Sequence, residues 1–226
     1  MQNTFFISEP ALYAPGLDSL EDIKLWADNQ KEISLEKTSP SLSYTDPLFR
    51  RRLSQLSKMT VEVVHNLIEK TNIGSDTKIV FVSFRGELDR EFKINQSIIE
   101  DEMILPAGFS LSVFNAPVAL ATIACKLKAG YNCIFPSYDD FKDGLTCAAS
   151  SILAGKQEKL IFVYGDELIP SQYENVTSIE SKPPVAFACV LSNSRLENVN
   201  SVEYSISDIS KNVYDFIRLH INKCYN

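Results

Sequence analysis

Five residues, Ile79-Val80-Phe81-Val82-Ser83, constrain the fold of this chain more than any other stretch. So short and nearly unbroken an apolar run reads as a strand buried on both faces, and such a strand needs a covering layer on each side of its sheet. Similar runs recur at Tyr131 to Phe135, Lys159 to Tyr164 and Val185 to Leu191. Segments of helical period lie between them. Arg50 to Glu69 puts Leu53, Leu56, Val63, Val64 and Leu67 on one face, and Asp89 to Glu102 turns Phe92, Ile94, Ile98 and Ile99 inward. Ala116 to Ala129 and Asp140 to Ala154 are helices rich in small residues, suited to close packing. This alternation predicts an α/β fold, with a mainly parallel sheet and helices on both faces.

The remaining segments fit around that sheet. Asn3 to Leu12 is a short strand, stopped by Pro15-Gly16, and Asp18 or Ser19 caps a helix through Leu20, Ile23, Leu25 and Trp26. Residues 30–48 are polar and contain two prolines, so they form an irregular loop. Ser110 to Val113 is a strand-like approach to the alanine-rich helix. Val202 to Ile206 is expected to pair with Val185 to Leu191 as an antiparallel edge, before a last amphipathic helix from Asp208 to Lys223. At 226 residues the chain is read as one domain, 1–226, with a substantial core.

Composition removes several functional classes. A net charge of −7 and a pI near 5.0 argue against sequence-independent nucleic-acid binding, which relies on clustered cations. Arg50-Arg51-Arg52 is the one dense cationic run. No apolar stretch of about 18–20 residues exists, so no membrane span is expected, and the first residues lack a secretory pattern. The five cysteines (Cys125, Cys133, Cys147, Cys189 and Cys224) form no C-x-x-C pair and read as free thiols of a cytoplasmic protein. His65 and His220 have no ligand spacing with them, so neither metal nor cofactor is expected.

Several local strings, in order along the chain, resemble the N-terminal half of the thiolase-like condensing enzymes. Phe6-Ile7 through Ala14-Pro15-Gly16 looks like the first strand and turn of a β-ketoacyl synthase, and Arg50 to Lys58 is similar to its Arg-rich turn. Val82-Ser83-Phe84-Arg85-Gly86-Glu87-Leu88 resembles an S-x-x-G-E-L segment. Pro106 to Ala116 (PAGFSLSVFNA), with Ser110, Ser112, Phe114 and Asn115, is close to the loop of half-length β-ketoacyl synthase-like N-terminal domain proteins, and Tyr164 to Pro170 resembles their Y-D-E-x-L-P turn. Phe109 to Glu167 as a whole reads like the catalytic half of a ketosynthase. The resemblance implies one half of a thiolase-like fold. It also implies a place beside fatty-acid-type, polyketide or aryl-polyene machinery, as a partner or chain-length-factor relative of a ketosynthase.

Two departures from the family pattern bear on chemistry. The active-site cysteine would fall at Tyr138 or Asp139, within Pro136-Ser137-Tyr138-Asp139-Asp140. Neither a phenol nor a carboxylate supports covalent acyl transfer as a thiolate does. The family's two catalytic histidines belong to a second half absent from this sequence, and neither His65 nor His220 is placed to replace them. Cys133 and Ser137 are the surviving nucleophile candidates. A strand cysteine packs as a small hydrophobe, however, and Ser137, Asp139 and Asp140 also suit a helix cap. Phe114 stands where the subfamily has histidine, and Asn115 is expected to bond the loop backbone. Arg50, Arg51 and Arg52 read either as a docking patch for an acidic acyl carrier protein or as a solvated helix start.

The leading expectation is a non-catalytic, chain-length-factor-like accessory subunit. An acyltransferase or hydrolase using Cys133 or Ser137, and a purely structural interaction protein, are the alternatives. A lone half should expose the helix faces that meet its twin, here the helices Ala116–Ala129 and Phe141–Leu153. It should therefore self-associate or bind a ketosynthase subunit.

Overall fold

The computed structural model describes residues 3–103, 106–137, 140–173, 176 and 182–225. Its strands are β1 (Thr4–Ser8), β2 (Ala11–Tyr13), β3 (Ile79–Val82), β4 (Tyr131–Ile134), β5 (Lys159–Asp166), β6 (Val185–Ser192) and β7 (Ser201–Ser205). Its helices are α1 (Leu20–Ala27), α2 (Pro47–Arg50), α3 (Gln55–Thr71), α4 (Leu88–Asp101), α5 (Pro106–Phe109), α6 (Ala116–Ala124), α7 (Phe141–Leu153) and α8 (Val213–Tyr225).

The strands form one mixed sheet in the order β4-β3-β5-β6-β1-β7, with β2 also on β6. Parallel pairing is confined to the β4-β3-β5 block, where helical crossovers connect the strands. β6 pairs antiparallel with β5, and β1 with both β6 and β7. The last two strands therefore do not pair with each other, contrary to expectation. Phe5 and Ile7, on one face of β1, are fully buried, and β1 lies between β6 and β7, hydrogen-bonded to both. The expected single first strand is broken at Glu9-Pro10, since proline has no N–H for the ladder, and β2 resumes further along β6.

Period-two alternation sorts the strand side chains into two cores. Phe162, Tyr164, Phe187 and Leu191 face α1, α7 and α8 on one side. Ile161, Val163, Ala186 and Ala188 face α3 and α6 on the other. Each strand thus sends its larger and smaller residues to opposite layers, and the alanines of β6 let α3 lie close to the sheet.

Several helices depart from the sequence reading. The long helix begins at Gln55, capped by the Ser54 side chain, and α2 is a separate turn before it. Ser110 to Val113 is a turn after α5, not a strand. The alanine-rich helix ends at Ala124, because Lys126 takes a left-handed φ of 57° and Lys128 N–H then bonds the Ser75 carbonyl at 2.7 Å. No residue of α4 is buried; Ile98 and Ile99 face solvent, because the helix packs beside α5 and not on the sheet. α7 has no free apolar face either. Phe141, Leu145, Ala149 and Ile152 are consumed by its own core, and Asp143, Cys147 and Ser150 point outward. α6 retains one exposed large apolar side chain, Ile123, at 67% exposure.

Candidate functional site

The carboxyl ends of the parallel strands are where α/β folds place their sites, and three loops meet there. The β3 end runs through Ser83 to Glu87, the β5 end carries Asp166 and Glu167, and the β4 end runs through Phe135 to Ser137.

The first two loops are joined by a buried carboxylate network. Asp166 accepts hydrogen bonds from Ser83 Oγ (2.7 Å), Tyr164 Oη (2.5 Å), and the backbone N–H groups of Phe84 (3.1 Å) and Arg85 (3.0 Å). Burial pushes the Asp166 carboxyl up, while these donors pull against it. Ser83 Oγ accepts from Gly86 N–H at 2.7 Å, which holds the turn in place. Gly86 has φ +58°, and a Cβ there would stand 2.6 Å from the Phe114 ring, so two constraints require glycine.

Glu87 carries the network to the α3 N-terminus. Its Oε1 accepts from Ser54 Oγ and Ser57 Oγ, each at 2.7 Å, and its Oε2 accepts from Arg90 Nε at 3.0 Å. Glu167 Oε2 accepts from Leu56 N–H at 2.9 Å, and Oε1 has no partner among the described residues. Burial, with the Glu87 charge adding to it, pushes the Glu167 carboxyl up to about 8. This knot is structural. It ties both strand ends to two helices, and it was missed as a site in the sequence, although its residues are the ones that carry the motif likeness at Ser83–Leu88 and Tyr164–Pro170. The available signal was acidic residues closing strongly apolar strands.

The nucleophile candidates are placed as follows. Tyr138 and Asp139 lie outside the described residues. Ser137 is exposed in the β4–α7 loop, where its carbonyl accepts from Asp140 N–H at 3.1 Å. Asp140 is the α7 N-cap residue but makes no side-chain cap; it pairs instead with Lys211 at 3.1 Å. Gly144, one turn further on, lets α7 approach the β3 end, since a Cβ there would stand 2.8 Å from Val82 Cγ1. Cys133 is half-buried in β4 against the α3–α6 core, and burial pushes its thiol up to about 11. No imidazole is near it. His65 stacks on Tyr44 at 3.7 Å between ring centroids. His220 is buried on α8, where Nε2 donates to the Ser8 carbonyl at 2.8 Å and Nδ1 accepts from Tyr204 Oη at 3.1 Å. Burial holds its imidazole down, to about 4, so it is neutral and structural.

The family-like loop is also occupied locally. Ser110 Oγ and Ser112 Oγ donate to the carbonyls of Ala107 and Phe109. Asn115 does not bond the loop backbone as expected; its amide donates to Tyr131 Oη at 2.8 Å, fastening the loop to the first residue of β4. Phe114 packs between Phe81 and Phe135, at centroid distances of 6.1 and 5.9 Å. Arg50, Arg51 and Arg52 end α2 and do not start the long helix. Cations there face the negative end of the helix dipole, which favours them. Arg50 Nη1 donates to the Leu42 carbonyl at 3.2 Å, and Arg51 and Arg52 are exposed.

A mixed sheet between α3–α6 and α7–α8, with strand-end loops knotted by buried acids, defines a thiolase-like half. The chain belongs to the β-ketoacyl synthase family: residues 24–213 match its N-terminal domain. It is similar to a solved structure of the ketosynthase ApeO in complex with its chain length factor ApeC from Xenorhabdus doucetiae, at 30% identity and a TM-score of 0.72, covering 85% of this chain and 80% of that one. It shares its fold with the ishigamide ketosynthase/chain length factor (11% identity, TM-score 0.65, covering 84% of this chain and 62% of that one). The AntDE:AntF complex, an acyl-carrier protein with its ketosynthase bound to the hexaketide, is also similar in fold (14%, TM-score 0.62, covering 84% and 64%). No curated protein matches the chain. No helix among the described residues is long and apolar enough to cross a membrane.

Proposed function

We propose that this protein is a ketosynthase-like accessory subunit of the chain-length-factor kind, acting without condensation chemistry of its own in fatty-acid-type, polyketide or aryl-polyene synthesis in the cytoplasm. The observation that carries this reading is its 30% identity, over 85% of the chain, to one chain of a solved ketosynthase–chain length factor complex. The site chemistry supports it. Cys133 is held protonated by burial, with no base beside it among the described residues, and the exposed Ser137 hydroxyl has no imidazole within the described network.

The partner is a catalytic ketosynthase subunit, and the surface it would use is open. Among the described strands β4 pairs with β3 alone, leaving a free edge. Val113, Ile123 and Phe135 are exposed on the loop, helix and strand end next to it. Arg50, Arg51 and Arg52 would dock the acidic carrier protein. The test is co-expression with a ketosynthase followed by size-exclusion chromatography and a condensation assay. The complex is expected to form and to retain full activity when this chain carries Cys133→Ala. Failure to form any complex, or activity lost with Cys133→Ala, would overturn the reading.

A further inference from the structure

A groove of about 570 Å³ opens between α2, α4, α5 and α6, within the range of small-molecule pockets. Among the described residues of the nucleophile loop, none of Pro136, Ser137 and Asp140 lines it. Its floor and walls are apolar, formed by Phe49, Leu111 and Leu120, with Leu48 and Ile123 at 64% and 67% exposure. Its ionisable lining residues, among the described ones, are two arginines, Arg52 and Arg90, on a chain of net charge −7. Arg90 is fixed in place by Nε on Glu87 (3.0 Å) and Nη2 on the Arg52 carbonyl (2.8 Å). Arg52 is exposed, and no carboxylate pairs with its guanidinium among the described residues.

An apolar groove whose lining includes one guanidinium without a carboxylate partner among the described residues, that of Arg52, is complementary to an alkyl chain with an anionic head. A thioester has no charge to offer a guanidinium, whereas a carboxylate accepts two hydrogen bonds from one. We propose that this groove binds a free alkyl carboxylate, its chain along Leu111 and Leu120 and its head on Arg52. The ligand is thus the free acid of an acyl chain and not its carrier-bound form.

The test is calorimetric titration of the purified chain with decanoate, decanol and acetate. Decanoate is expected to bind one-to-one, at least tenfold tighter than decanol or acetate, the size of one charged hydrogen-bond pair. Arg52→Gln, an exposed substitution, is expected to bring decanoate down to the decanol level, and Leu111→Trp to abolish binding of both. Ile123→Trp on the exposed rim serves if Leu111→Trp melts early. Equal binding of decanoate and decanol, an unchanged affinity in Arg52→Gln, or binding that survives filling of the groove would each overturn the proposal. The same holds if no decanoate binds.

Discussion

At the scale of single residues, two buried ionisable groups impose opposite pH dependences. Glu167 has its folded pKa raised from 4.5 to about 8, so the folded chain holds the proton more tightly. Its contribution is fully present below pH 4.5 and is lost as pH climbs through about 8. Glu167→Gln keeps the Leu56 acceptor without the charge. It is expected to melt with the parent near pH 5 and to be more stable by a few kcal/mol near pH 8.5, on the order set by such a shift. His220 runs the other way. Its folded pKa is depressed from 6.5 to about 4, so stability falls as pH drops through that window. Denaturant titrations of Glu167→Gln and His220→Gln across this range would separate the two slopes; parallel curves for variant and parent would refute either assignment. Gly86→Ala should cost about 1–3 kcal/mol, from its positive φ and the Phe114 overlap. Pairing it with Phe114→Ala should recover only the overlap part, measured as a double-mutant cycle. The thiols should separate as well. The exposed Cys147 is expected to alkylate well before Cys133, read by timed mass spectrometry.

At the scale of elements, much of the fold could be read from the chain. The double-sided runs at Ile79–Val82 and Lys159–Tyr164 gave the parallel part of the sheet, because few arrangements other than a covered strand bury four or five apolar residues in a row. Ser19 announced its helix by capping chemistry, whereas the Ser54 cap went unread and the long helix was started too early, at Arg50. The sequence could not show which strand fills the place between β6 and β7, since periodicity fixes a strand's faces and not its neighbours. The helical period of Asp89–Glu102 was real, but a period says nothing about what lies opposite, and here Ile98 and Ile99 meet solvent while Phe92 packs on Tyr173. The carboxylate knot was legible only as motif residues, because burial of an acid depends on partners up to 111 positions away. The free β4 edge yields its own prediction. Asn132→Pro, on the exposed side of that strand, and Ile123→Glu should each weaken ketosynthase binding tenfold or more. For Ile123→Glu the melting temperature should stay within a few degrees of the parent, and an intact complex would exclude this surface.

At the scale of the whole molecule, charge sets a further expectation. The chain is acidic overall, so the exposed Arg51 and Arg52 form an isolated positive feature on a repelling surface. Reversing both to glutamate should slow carrier-protein association and flatten its salt dependence while leaving the fold intact, as stopped-flow mixing at two ionic strengths would show. An unchanged association rate would place the carrier protein elsewhere.

The hydrogen bond from His220 to Ser8 closes the core across 212 positions, and β1 is built into the sheet between two strands from the far end of the chain. A nascent polypeptide emerging from the ribosome therefore holds a strand with no berth until α8 has been synthesised. Such a topology folds late and slowly. Its apolar β1 strand stays open to chaperones, and to misassembly with other chains, until those later strands are made.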